Sequence, residues 1–196
     1  PVTIKSLPST SVPLSLLKLL TNTTMNIFAI DSNPCLAAKH LCDQHIVKMI
    51  LESSQILASA CIRHGVEESR MPLTKSGTTA KGGYHHHPST VWAGNNRSNY
   101  YWVVMHMMRL CTEYTERFDK HHFCESQCKV YYNLAERIPD GELERFSIAI
   151  SKEAKCRSAI KNFDKMHPVS QYRAYYKYDK TFGRWKKNKP DWLTTY

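Results

Sequence analysis

The spacing of apolar residues restricts this 196-residue chain to helices. After Asn33-Pro34, an N-cap residue followed by proline at the first helical position, apolar side chains recur every three or four residues as far as Gly65. A second stretch with the same period runs from Ser89 to Phe118, with a break expected at Gly94. No segment shows the two-residue alternation of a strand. The pattern predicts an all-α fold, a single compact domain of about five to seven helices with a basic aromatic C-terminal segment.

Shorter patterns complete the secondary-structure prediction. The first stretch is either one helix or two helices that join near Asp43. Further helices are predicted over residues 124–137, 142–150, 153–163 and 168–180. Hydrophobic residues make up 42% of the chain and charged residues 22%, proportions that allow a buried core. No run reaches the ~18 apolar residues that a membrane span needs, so no membrane partner is expected.

The first 24 residues differ in composition from the rest of the chain. They contain no acidic residue, many serines and threonines, and three prolines. We expect residues 1–24 to be a leader that is weakly ordered or non-native, and residues 25–196 to form one helical domain; an organelle transit peptide is the alternative. Lys18 interrupts the only apolar stretch of the leader, and no cleavage site follows. We therefore expect an intracellular protein, in the cytoplasm, nucleoid or nucleus, rather than a secreted one.

Positive charge is concentrated at the C-terminal end. Residues 151–196 hold +8 of the net charge of +10, with histidine counted as neutral. Within residues 171–192, which we call the basic aromatic run, seven aromatic side chains alternate with seven cationic ones. Cations neutralise phosphates and flat rings stack on bases, so the run predicts nucleic-acid contact. A solvated basic face is the alternative.

The predicted nucleic-acid-binding residues come from this run and from one position on the first helix. They are Lys48, Arg173, Tyr175, Tyr176, Lys177, Tyr178, Lys180, Arg184, Lys186 and Lys187.

The first helix also carries the candidate catalytic residues, Glu52 and His45. Seven residues separate them, which is nearly two full turns, so their side chains point in almost the same direction about 10 Å apart. A carboxylate and an imidazole on one rigid helix suit general acid/base catalysis. The alternative is a solvated face on which Lys48 and Glu52 form an ordinary i,i+4 pair.

Cysteine and histidine patterns favour no metal site. Several of the seven cysteines lie inside apolar helical patterns, which is typical of reduced thiols that pack as small hydrophobes. Histidines 85–87, or His121 and His122 with Cys124 and Cys128, could ligate zinc, but no paired C-x-x-C motif accompanies them. We therefore predict neither a metal nor a cofactor. The chain also lacks a P-loop and a G-x-S-x-G motif, so nucleotide hydrolysis and serine hydrolase chemistry have no support.

Short motifs resemble the pyrimidine-dimer DNA glycosylases, small all-α repair enzymes first known from a phage. Asp43-Gln44-His45, followed by Glu52, is similar to the segment of that family in which the glutamate is catalytic. Tyr175-Tyr176-Lys177-Tyr178 with Lys180 resembles the family's aromatic C-terminal segment. His87-Pro88 and the stretch ending at Phe118 lie where its central helix is expected.

The resemblance implies a mechanism, and the sequence departs from it in two respects. The family's nucleophile is the α-amine of the processed N-terminus, whereas here Pro1 lies far upstream and Met25 or Asn26 would serve only if translation starts there. Arginines are expected beside the catalytic glutamate, but Leu51 and Ser53 flank Glu52.

These observations together predict a DNA repair enzyme. We expect base excision from damaged duplex DNA, with an accompanying AP-lyase activity, by a monomer or weak dimer that uses no cofactor. The alternatives are a non-catalytic nucleic-acid-binding protein that uses the basic aromatic run and, third, a zinc-dependent enzyme.

Overall fold

Seven α-helices surround one core of buried apolar side chains in the computed structural model, which describes residues 25–193. No β-strand occurs among these residues, so the all-α prediction is confirmed. The predicted leader, residues 1–24, lies outside the described residues. The helices are α1 (Pro34–His40), α2 (Asp43–Arg63), α3 (Pro88–Ala93), α4 (Arg97–Phe118), α5 (Cys128–Leu134), α6 (Lys155–Ala159) and α7 (Pro168–Asp179).

Five short 3-10 helices lie between or after the α-helices. They are Glu68–Arg70, Phe123–Gln127, Ala135–Arg137, Phe163–Lys165 and Asp191–Leu193. Over residues 25–193, no helix is both long enough and apolar enough to cross a membrane.

The helix boundaries follow local chemistry that the sequence shows. The side-chain oxygen of Asn33 accepts hydrogen bonds from the backbone N–H groups of Cys35 and Leu36, at 2.9 and 3.2 Å. His87 and His167 cap α3 and α7 in the same way, and a proline follows each of them at the first helical position. The two first helices do join near Asp43, where extended residues separate α1 from α2. The expected break near Gly94 separates α3 from α4.

The prediction of a helix over residues 142–150 was wrong, because this segment has no regular secondary structure. Side chains of neighbouring elements satisfy its backbone groups. The N–H of Glu144 donates to the Asn99 side-chain oxygen at 2.9 Å, and the N–H of Ala149 donates to the Tyr172 hydroxyl at 3.0 Å. Tertiary contacts of this kind replace helical hydrogen bonds without leaving a periodic signal in the sequence.

A buried arginine joins the principal helices to the C-terminal part of the chain. The side chain of Arg117, at the end of α4, is fully buried and pairs with Glu113 and Asp43 at 2.8 and 2.9 Å. It also donates to the backbone oxygens of Lys39 and Leu41, at 2.7 and 3.0 Å. Arg117 therefore fixes the corner between α1 and α2 against α4.

The same corner holds the chain beyond α7. The N–H of Asp43 donates to the carbonyl of Arg184 at 2.7 Å, and the second Asp43 carboxylate oxygen accepts the N–H of Lys186 at 2.9 Å. The Asn188 side chain donates to Glu113 at 2.9 Å. The end of the basic aromatic run is therefore anchored beside the start of α2.

Arg117→Met should destabilise the fold strongly, because it leaves the carbonyls of Lys39 and Leu41 without their donor and removes one of the two arginines, Arg117 and Arg109, that pair with the buried Glu113 carboxylate. We expect the free energy of unfolding to fall by about 3–5 kcal/mol, the usual cost of breaking a buried ion pair from one side. Chemical denaturation followed by circular dichroism measures this change. The double variant Glu113→Gln/Arg117→Met should recover part of the loss, and a single variant as stable as the parent would contradict the assignment.

Candidate active site and nucleic-acid interface

One face of α2 presents a buried polar side chain at every seventh position. These residues are His45, Glu52 and Ser59, each at most 6% exposed. Because seven residues are nearly two turns, the three side chains point the same way at intervals of about 10 Å. Each contacts a different segment that packs on the helix. Glu52 therefore lies midway along a face that is supported at both ends.

The carboxylate of Glu52 contacts the first described residues of the chain. The backbone nitrogen of Asn26 donates to Glu52 Oε2 at 3.1 Å. The Asn26 side chain is itself fixed: its oxygen accepts from the N–H groups of Ile27 and Phe28, and its nitrogen donates to the carbonyl of Ala149 at 2.9 Å. These bonds hold the Asn26 backbone nitrogen against the carboxylate.

Lys48 contacts the other carboxylate oxygen, with its Nζ 2.9 Å from Glu52 Oε1. Burial nevertheless raises the pKa of Glu52 above its ordinary value, and Lys48 and the Asn26 N–H offset this effect in part. A carboxyl group whose pKa is raised is a stronger base than an ordinary carboxylate and is better suited to accept a proton.

Glu52 opens into a cleft of about 470 Å³. The cleft is lined by Met25, Val47, Lys48, Leu51, Glu52, Gln55, Tyr84 and His122. Sequence reasoning missed Tyr84, whose side chain is 52% exposed. The available signal was an aromatic residue directly after Gly82-Gly83, a pair typical of a sharp turn.

His45 lies in the interior rather than on the cleft. Its ring stacks on Phe28, with centroids 4.3 Å apart and planes within 9°, and its Nδ1 is hydrogen-bonded to the Tyr176 hydroxyl. Burial, with smaller effects of the Lys180 and Lys48 charges, lowers the pKa of His45 to about 3. The ring is therefore neutral at physiological pH. It joins α2 to Phe28 and to α7 and leaves little surface for a phosphate.

The structure divides the predicted nucleic-acid-binding residues between interior and surface. Tyr176 is buried against His45, and Arg173 donates to the carbonyl of Ile30 and pairs with Asp31 at 3.0 Å. Both side chains therefore support the scaffold. Lys180, in contrast, lies with its Nζ 4.5 Å from the ring centroid of Tyr175, at the edge of the α2 face.

The remaining residues of the run lie on two other surfaces. Lys177 and Tyr178 line a shallow pocket with Trp192, on a side of α7 different from that of Tyr176. Arg184, Lys186 and Lys187 are exposed beyond the helix, next to the anchored corner at Asp43. The structure thus brings Lys48, Tyr175 and Lys180 to the side of α2 that carries Glu52, and the DNA-contact role of the run stays a prediction.

Histidines that could have been metal ligands serve the fold. His87 and His122 accept backbone N–H groups at helix starts, from Ser89 at 3.2 Å and Cys124 at 3.1 Å. In the part of the chain that the structure describes, no group of three His, Cys, Asp or Glu side chains is arranged to hold a metal ion.

Comparison with known proteins identifies the family to which the chain belongs. A family profile described as pyrimidine dimer DNA glycosylase matches residues 25–126. The chain belongs to this family. The residues that match the family profile include Asn26, His45 and Glu52 and end before the basic aromatic run. Membership supports a glycosylase-like repair function with DNA as substrate. No curated protein and no solved structure matches the chain.

Glu52→Gln should leave the fold as stable as the parent or more stable at pH 7. The folded-state pKa of Glu52 is raised, so its contribution to stability is full at low pH and is lost as the pH rises through that pKa. The neutral amide avoids the cost of burying a charge. Calorimetry measures the melting temperature, with Glu136→Gln, which removes an exposed pair to Arg70, as the control. A drop of more than about 5 °C, roughly a kcal/mol or more at this length, would show that Glu52 is a structural residue.

Proposed function

We propose that this protein excises a base from damaged duplex DNA and then cleaves the strand by β-elimination. The observation that carries the proposal is the 3.1 Å contact between the Glu52 carboxylate and the backbone nitrogen of Asn26, inside a cleft. A chain that starts at Asn26 has a terminal amine at that position, and a chain that starts at Met25 has one a residue away. Met25 lines the cleft together with Glu52, and the Asn26 nitrogen contacts the Glu52 carboxylate directly.

A terminal amine is a suitable nucleophile for this reaction. Its pKa near 8 leaves part of it neutral at pH 7, whereas a lysine amine is almost entirely protonated. The nitrogen lone pair forms a bond to C1′ of the damaged nucleotide while the glycosidic bond breaks. The bond electrons leave with the base, which takes up a proton. The nitrogen then loses a proton, and its lone pair forms the C=N bond as the C1′–O4′ bond breaks and O4′ takes up a proton, which gives a protonated imine.

Glu52 has two roles in this proposal. Its negative charge stabilises the positive charge that develops on the sugar as the base departs. Its raised pKa then allows it to accept the C2′ proton, after which the C2′–C3′ double bond forms and the 3′ phosphate leaves. Lys48, beside the carboxylate, is placed to contact a phosphate of the same strand.

The remaining predicted residues position the DNA or the site. We propose that Tyr175 and Lys180 contact the duplex on one side of Glu52, with further phosphate contacts from Arg184 and Lys187. His45 is a positioning residue in this proposal. Its neutral ring stacks on Phe28 and so holds the segment from Asn26 to Phe28 against α2.

Borohydride trapping tests the nucleophile. Three forms of the chain, starting at Pro1, Met25 and Asn26, are incubated with ultraviolet-irradiated duplex and borohydride, and the trapped residue is identified by mass spectrometry. We expect trapping at the terminal amine of the two shorter forms. Trapping on Lys48 in all three forms would overturn the amine assignment. Binding without excision in every form would instead indicate a non-catalytic DNA-binding protein.

Glu52→Gln should reduce excision by at least ~10², the usual scale for losing a positioned acid/base group. Affinity for the duplex should hold or rise, because a negative charge near phosphates is removed. Gel analysis of irradiated duplex measures excision, and fluorescence anisotropy measures binding. Equal losses of excision and of duplex affinity would contradict a catalytic role for Glu52.

The pH–rate profile gives an independent test through Lys48. Activity requires ionised Glu52, so the rate should rise with pH around a midpoint above the ordinary carboxyl value of 4.5. The Lys48 charge lowers the pKa of Glu52, so Lys48→Met should move this midpoint to higher pH. Lys129→Met, in a different cleft, is the control and should leave the profile unchanged. An unshifted midpoint in Lys48→Met would show that Glu52 does not set the acid limb.

A further inference from the structure

The second part of the loop between α2 and α3, which follows Glu67 and Glu68, contains cations and no acids. Residues 71–88, which we call the acid-free loop, hold Lys75, Lys81 and three consecutive histidines without one aspartate or glutamate. Both lysines are exposed. Such a one-sided charge balance is complementary to a polyanion.

The acid-free loop is held in place by α2. The Ser59 hydroxyl donates to the carbonyl of Gly83 at 2.9 Å and accepts the N–H of Gly83 at 2.8 Å. Gly82 has a φ of +68°, and a Cβ there would come within 2.8 Å of the Ser59 backbone nitrogen, so only glycine fits. At the other end of the loop, Gln127 donates to the carbonyl of Leu73 at 2.7 Å. The lysines are therefore carried on a fixed support.

A second cleft separates this loop from α2 and adjoins the Glu52 cleft. Its volume is about 820 Å³, and Leu51, Gln55 and His122 line both clefts. Lys75 and Lys81 lie on its wall, and its lining residues include no acid. The two clefts thus form one groove that leads from Glu52 to the cations of the loop.

The spacing of the polar residues on α2 can be expressed in nucleotides of DNA. Ser59, which holds the loop, lies seven residues or about 10 Å from Glu52, and His45 lies equally far on the other side. Nucleotides along one strand of duplex DNA are spaced by 3.4 Å, so 10 Å corresponds to about three nucleotides. A strand whose reacting sugar is at Glu52 can therefore continue along the groove toward Lys75 and Lys81, while Lys180 lies near His45, at the other end of the same face of α2.

We propose that the acid-free loop is a second DNA-binding arm, opposite the basic aromatic run, in which Lys75 and Lys81 contact phosphates and Tyr84 stacks on a base. The inference rests on the proposed function, because it takes Glu52 as the position of the reacting nucleotide. Tyr84 is placed for stacking: its ring lies at the rim of the Glu52 cleft and is half exposed. Its backbone has a φ of +53°, a conformation that bulky residues rarely adopt and that directs the ring out of the turn.

Salt-dependent binding tests the lysines. The probe is a duplex with a tetrahydrofuran abasic analogue, which cannot form an imine, and anisotropy is recorded over a series of salt concentrations. Lys75→Ala and Lys81→Ala should each weaken binding several-fold at low salt and reduce the salt slope by about 0.9, the value for one phosphate contact. Lys129→Ala is the matched control, since this exposed lysine lies on a third cleft, away from the groove, beside Met105 and Met108. If the double variant Lys75→Ala/Lys81→Ala behaves as Lys129→Ala does, the arm does not bind DNA.

Tyr84 is tested by fluorescence of 2-aminopurine placed opposite the analogue or up to three nucleotides from it. The parent and Tyr84→Phe should show the same quenching at one of these positions, because both present a ring. Tyr84→Ala should lose this quenching and at least five-fold in affinity, the lower range for one base stacked on an aromatic ring. Quenching that is unchanged in Tyr84→Ala at every position would overturn the stacking role.

The two proposals fail in different ways. If the parent excises bases while the loop variants bind like the control, the loop inference is wrong and the proposed function stands. If binding depends on Lys75 and Lys81 but the parent and its shorter forms excise nothing, the arm stands and the proposed chemistry is wrong.

Discussion

The buried Arg117 side chain is the interaction on which the arrangement of the rest depends. A guanidinium without access to water is tolerated only when its donors are satisfied, and here two carboxylates and two carbonyls from α1, α2 and α4 supply the acceptors. Since Asp43 begins α2 and also binds the backbone of Lys186, one cluster sets both the direction of the catalytic helix and the position of the C-terminal cations. The geometry of the site therefore depends on the buried charge of Arg117, which does not contact the substrate.

Along α2, polar side chains at every seventh position each contact a different segment, and these contacts build the site on the helix that Arg117 orients. His45 binds Tyr176, Glu52 binds Asn26 and Ser59 binds Gly83. The two outer residues are neutral at physiological pH and make their contacts without a buried charge. Glu52 alone keeps a carboxylate on this face, and burial raises its pKa. The cost of desolvation is thus concentrated at the one position where a proton acceptor is useful.

Local signals were sufficient for most of the fold and for part of the site. Caps and prolines at Asn33, His87 and His167 are read from neighbouring residues, and the face shared by His45 and Glu52 follows from helix geometry alone. The irregular conformation of segment 142–150 could not be predicted, because its hydrogen-bond partners come from α4 and α7. Tyr84 was not predicted as a site residue for a similar reason, since its position beside Glu52 is set by a contact between Ser59 and the following loop. Alternation of Tyr and Lys along the basic aromatic run likewise does not reveal that Tyr176 is buried or that Arg173 pairs with Asp31.

A terminal amine and a carboxyl group with a raised pKa form a better matched pair than a lysine and an ordinary carboxylate would. The amine must be neutral to attack, and the carboxylate must be ionised while the sugar carries positive charge and must then accept a proton. At a pH near the amine pKa of about 8, part of the amine is neutral and the carboxylate is ionised, and the upward shift of the carboxyl pKa makes that carboxylate a stronger base for the C2′ proton. Lys48 limits the upward shift of Glu52, because without this cation burial would favour the protonated acid. In the proposed mechanism, the lysine that contacts a phosphate is thus also the residue that favours the ionised form of the base.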